Sequence, residues 1–79
     1  MSPEIQRIAR LLAVPEPFVV ELCEHGIVVV GGDVDFEHVV ERVRISWNLY
    51  DELGVNLAGI EVALNLLTVI HRDRRDLKG

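Results

Sequence analysis

One cysteine, three histidines and thirteen carboxylates are the residues of this chain with chemistry to offer. A zinc site needs four ligands, or three and a water. Cys23 and His25 stand two positions apart in a helical pattern, and residues so spaced face different directions. His38 and His71 supply no second pair. No metal site is therefore expected, and Cys23 reads as a small apolar helix residue. Asp33 and Asp35 begin like a cation loop, but its remaining ligands are absent. They are better explained as a turn residue and a helix cap. The sequence has no serine–histidine–aspartate arrangement, no glycine-rich phosphate loop and no HExxH. The expectation is a protein that is not an enzyme and carries no cofactor.

The placement of the carboxylates is more informative than their chemistry. Net charge is −5, and no Lys or Arg occurs between Arg10 and Arg42. That interval holds Glu16, Glu21, Glu24, Asp33, Asp35, Glu37 and Glu41. Four of the eight basic residues, Arg72, Arg74, Arg75 and Lys78, fall at the C-terminal end. A lone cysteine excludes an intrachain disulfide and fits a reducing, cytoplasmic setting. The opening MSPEIQRIARLL lacks the apolar run and small-residue site of a signal peptide, and no uncharged apolar run matches a membrane span.

The elements that must position these charges follow from the apolar spacing. Ser2-Pro3-Glu4 is a helix start, with a capping serine, a proline at the first helical position and an acid in the first turn. The helix runs to about Ala13, with Ile5, Ile8, Leu11 and Leu12 as its apolar stripe and Gln6, Arg7 and Arg10 pointing away. Val14-Pro15-Glu16-Pro17 ends it and opens a second helix, to about His25, that buries Phe18, Val19 and Leu22 and stops at Gly26. Two short helices joined by a tight turn form a helix-turn-helix unit over residues 2–26. The β-branched run Ile27-Val28-Val29-Val30, then Gly31-Gly32-Asp33 and Val34, predicts a short hairpin over 27–34, where a wing would stand. Asp35 caps a third helix over 36–53, whose apolar positions are Phe36, Val39, Val40, Val43, Trp47, Tyr50 and Leu53. Gly54 supplies the left-handed residue that ends it, and Asn56 caps a fourth helix over 57–76. The expected fold is a single mainly α domain, a winged helix-turn-helix of four helices with a short β-hairpin.

Such a fold raises DNA binding, and the charge opposes it. The second helix would lie in the major groove. PEPFVVELCEHG presents Glu16, Glu21 and Glu24 and no Arg, Lys, Asn or Gln, whereas duplex binding neutralises phosphates with basic side chains and reads bases with those four residues. An acidic face with a large apolar complement suits a basic protein partner instead.

The phrase LGVNLAGIEVALNLL, from Leu53 to Leu67, carries a resemblance. Two helices joined by L-G-x-N-L and followed by -xGI- are similar to the last two helices of MerR-like helix-turn-helix proteins. The fuller run resembles the CbpM-type chaperone modulators of that superfamily. The resemblance implies binding to the J domain of a DnaJ/CbpA-type co-chaperone, at that domain's basic second helix, which blocks its stimulation of the Hsp70-type chaperone DnaK. The partner-facing candidates are Glu37, Glu41, Asp51 and Glu52 of the third helix, with Glu21 and Glu24 of the second as the other face. MerR-like proteins dimerise through a C-terminal helix, which implies a homodimer contact at Leu57, Ile60, Leu64, Leu67 and Ile70; Val62, Leu66 and Val69 form a second apolar face of that helix. The alternative reading is a MerR-like transcriptional regulator with an unusual DNA surface.

Overall fold

The computed structural model describes the backbone of residues 2–78 and the side chains of residues 2–68. The chain is mainly helical: α1 (Pro3–Leu12), α2 (Glu16–Glu24), α3 (Phe36–Leu53) and α4 (Leu57–Lys78).

Three of the four helix starts follow from a local side-chain hydrogen bond, and α2 instead opens on Pro15 and Pro17. The Ser2 hydroxyl accepts the Glu4 amide at 3.2 Å, Asp35 Oδ1 accepts the Glu37 amide at 3.1 Å, and Asn56 Oδ1 accepts the Gly59 amide at 2.8 Å. Each satisfies one of the amides that a helix N-terminus leaves without an intrahelical partner. The helix ends are equally explicit. Gly26 takes φ 69°, which lets the Ile27 amide reach the Leu22 carbonyl at 2.9 Å and the Gly26 amide reach Cys23 at 3.1 Å. Gly54, at φ 67°, returns its amide to Tyr50 at 3.1 Å. The end of α1 has the same geometry without a glycine: Ala13 stands at φ 56°, and the Val14 amide bonds the Ala9 carbonyl at 2.9 Å.

Among the described residues there is no strand, so the expected wing over 27–34 is not formed. The reason lies in where its backbone groups go. The amides of Ile27 and Val28 both turn back to the Leu22 carbonyl, and Arg42 Nη2 donates to the Ile27 carbonyl at 3.0 Å. A ladder needs those groups free. Ile27 and Val28 are also both buried, where a half-buried strand would alternate. The segment is a connection pinned at one end by α2 and from above by α3.

α1 packs on α2 and α3, and α3 packs on α4. Ile8, Val19, Leu22, Val43, Ile60 and Leu64 are fully buried. Ser46 is buried among them, its hydroxyl donating to the Arg42 carbonyl one turn back at 2.7 Å. Three apolar expectations are displaced. Leu11 is exposed and Ala9 takes its place in the core, because Leu11 lies about 100° round the helix from the line through Ile5, Ile8 and Leu12. Tyr50 and Leu53 continue the inner stripe of α3 but are 49 % and 71 % exposed. Tyr50 keeps only one side against Phe18, and Leu53 is the last residue of α3, where the stripe meets the turn.

The radius of gyration is 13.1 Å, against about 12 Å for a compact chain of this length. The excess reflects α4, whose 22 residues span about 33 Å. Among the described residues, no helix is long and apolar enough to cross a membrane.

Candidate interaction surface

The six acids picked from the sequence are all exposed. Glu37, Glu41 and Glu52 share the side of α3 opposite Val39, Val43 and Ser46, since their spacing returns them to one stripe of the helix. Glu41 is not free on that stripe. Arg44, one turn on, pairs with it and holds its carboxyl below the usual value, while its own guanidinium is pushed up by the same bond. Asp51 stands on the shoulder of α3, one turn beyond Trp47, and no basic residue occupies the last turn. Glu21 and Glu24 occupy the outer side of α2, with Glu21 one turn beyond Phe18. The acids therefore divide between the back of α3, its C-terminal shoulder and α2.

The spacing of apolar residues places aromatics on the right helices but does not show that they meet. Phe18 of α2 sits edge-on to Trp47 at 5.0 Å between ring centroids. Tyr50 lies 5.2 Å from Phe18 and 5.8 Å from Trp47. Three of the four aromatic residues thus form one cluster, buried at Phe18 and open to solvent at Tyr50. The signal available in the sequence was the Trp47–Tyr50 spacing at the end of a helix twice the length of α2. The fourth aromatic, Phe36, lies under the Arg7 guanidinium, 4.6 Å from the ring centroid. Arg7 thus covers the start of α3 instead of pointing away.

The proposed dimer residues separate in the structure. Ile60 and Leu64 are 0 % and 1 % exposed within the protomer's own core, and Leu57 is half-buried against it. They face α3, and a second copy cannot reach Ile60 or Leu64 without opening the domain. Leu67 is exposed, and Ile70 lies outside the described side chains. Val62 and Leu66, each 58 % exposed, are the most exposed large apolar residues among the described side chains of α4.

Among the described residues, no three of His, Cys, Asp and Glu converge as metal ligands. Cys23 is half-buried, and that burial raises its thiol pKa, which disfavours the nucleophilic thiolate. Glu4 is held below its usual pKa by the Ser2 hydroxyl that donates to it. Shallow depressions lie among the described residues. One of about 200 Å³ lies between Ile8, Gly31, Gly32 and Phe36, and one of about 320 Å³ is lined by Pro3, Arg7, Arg10 and Leu11. Neither gathers a nucleophile with a base. No family model, curated protein or solved structure matches the chain.

Proposed function

We propose that this chain is a chaperone modulator of the CbpM type: a MerR-like helix-turn-helix domain, acting in the cytoplasm, that binds the J domain of a DnaJ/CbpA-type co-chaperone and prevents its stimulation of DnaK. The observation that carries this reading is the exposed acidity of α2 and α3 on a scaffold whose α2 has no basic residue. A surface that reads DNA needs cations there. One that masks a basic helix needs acids, which steer association and set specificity. The mechanism is competitive occupation without covalent chemistry: while Glu21, Asp51 and Glu52 engage the basic helix, the chaperone cannot. Glu41 contributes least, because Arg44 already neutralises it.

The protein is proposed to act as a homodimer. With Ile60 and Leu64 committed to the core, the contact is the outer stripe of α4 through Val62 and Leu66, and Leu67 continues the core face instead.

The test is a calorimetric titration with the isolated J domain at low and high salt. Micromolar or tighter binding that weakens with salt is expected, and D51K/E52K should weaken it further. Binding that survives the double substitution would move the contact to Glu21 and Glu24 of α2. No binding at either salt would refute the reading. Duplex DNA titrated in parallel should give no salt-dependent complex.

A further inference from the structure

Exposed Tyr50 and Leu53 and half-buried Trp47 form an aromatic and apolar edge at the C-terminal end of α3, backed by buried Phe18. The charged residues one helical turn from its rings are Arg44, already paired with Glu41, and two carboxylates. Asp51 is one helical turn from Trp47, and Glu21 is one turn from Phe18 on the neighbouring helix. The sequence from Ile45 to His71 holds no Lys or Arg. Residues 2–68 contain four arginines and no lysine, and three of the arginines are engaged elsewhere: Arg7 over Phe36, Arg42 on the Ile27 carbonyl and Arg44 on Glu41. The protomer thus presents aromatic faces rimmed by carboxylates with its own nearby cations already spent. Aromatic faces attract cations, most strongly those of Trp and Tyr, and adjacent carboxylates add to the attraction.

We propose that the Trp47–Tyr50–Leu53 edge is a docking site for an amphipathic helix bearing arginine or lysine, with one cation seated over the Tyr50 and Trp47 rings and held by Asp51, while an apolar side chain of that helix rests on Leu53. This deepens the chaperone-modulator reading and rests on it for the identity of the partner, but the site is defined by its own chemistry. It also assigns the energetic division of the contact. The acids bring the partner in, and the aromatic edge, where water is excluded, sets how slowly it leaves.

Trp47 is the sole tryptophan, so its fluorescence reports directly on the site. The experiment titrates the full chain with the isolated J domain, then with a synthetic amphipathic helix of leucine and arginine, and finally with its leucine–glutamate counterpart. The expected result is a change in Trp47 emission with the J domain and the arginine helix and none with the glutamate helix. Tyr50→Ala should weaken both complexes about tenfold, while Tyr50→Phe, which keeps the ring, should bind like the parent. Tyr50 is half exposed, so both variants should keep the fold, and far-ultraviolet circular dichroism checks that they do. If the arginine helix moves Trp47 and the J domain does not, the site stands and the choice of partner falls. If the J domain binds while Trp47 stays silent and Tyr50→Ala binds normally, the modulator reading stands and this site falls. An unmoved Trp47 with both probes overturns the site. So does a Tyr50→Ala protein whose only change is the loss of a homodimer in sedimentation, because the edge would then face a second copy.

Discussion

Ala13 is a residue in a position made for another. It ends α1 at φ 56°, a backbone region that costs a residue with a Cβ roughly 1–2 kcal/mol and costs glycine little. Its place is nonetheless enforced, because the Val14 amide must reach Ala9 for Val14 to enter the core. Ala13→Gly relieves that cost but loses roughly 0.5–1 kcal/mol to the greater freedom of the unfolded chain. A net gain of about 0.5 kcal/mol is expected, read as a raised urea midpoint with unchanged slope. The helix ends marked by Gly26 and Gly54 were legible in the sequence because glycine announces a left-handed residue; the end of α1 was legible only from Pro15 and Pro17. Cys23 allows a second test at this scale. Its thiol pKa is raised in the folded state by burial, so the folded protein holds the proton more tightly than the unfolded chain. Stability from this group is therefore constant below the ordinary thiol pKa and falls as pH rises from that value through the raised one. A thiol reagent should react slowly at neutral pH in buffer and at the ordinary rate in denaturant, and Cys23→Ala should flatten the alkaline loss of stability.

At the scale of elements, the helices could be read in the sequence and the connection between α2 and α3 could not. Ser2, Asp35 and Asn56 are capping residues by their chemistry alone, and each makes its bond. Ile27 to Val30 has the composition of a strand, but composition does not reveal that the Ile27 and Val28 amides are taken by Leu22 or that Arg42, fifteen residues away, takes the Ile27 carbonyl. A long-range hydrogen bond from a guanidinium leaves no periodic trace. The α3–α4 corner has a tighter requirement than its Gly-Val-Asn chemistry implies. A Cβ placed on Gly59 would stand 2.6 Å from Val55 Cγ1 and 3.3 Å from the Asn56 Oδ1 that caps α4. Valine is stiff at χ1, so it cannot swing aside without leaving the core it touches. Alanine would ordinarily gain up to about 1 kcal/mol over glycine inside a helix. Overpacking costs roughly 1–3 kcal/mol, so Gly59→Ala should destabilise by about 1 kcal/mol net. A Gly59→Ala protein with a higher melting temperature than the parent would show that the corner yields.

For the whole molecule, the question is how 79 residues with so little interior divide α4 between core and contact. A domain of this size has a stability of roughly 4–12 kcal/mol, and it buries a smaller share of its surface than a larger one. The apolar pattern of α4 shows two faces, but their roles depend on which one α3 covers, and that is set by the turn over Gly54. The structure gives Ile60 and Leu64 to the core and leaves Val62 and Leu66 outside. The two faces make opposite predictions for nearly identical substitutions two positions apart. Leu64→Ala removes a fully buried side chain and should cost roughly 2–5 kcal/mol, enough to leave the chain largely unfolded if its stability lies at the lower end. Leu66→Ala should change the protomer's stability by less than about 0.5 kcal/mol, as exposed substitutions do. Its effect should appear only in assembly: a weaker dimer in sedimentation equilibrium, and a melting temperature that no longer rises with protein concentration. If Leu66→Ala lowers stability as much as Leu64→Ala at every concentration, both faces serve the protomer. If it changes neither stability nor assembly, the outer stripe of α4 is not the dimer contact, and the exposed edge at Tyr50 and Leu53 becomes the next surface to test for a second copy.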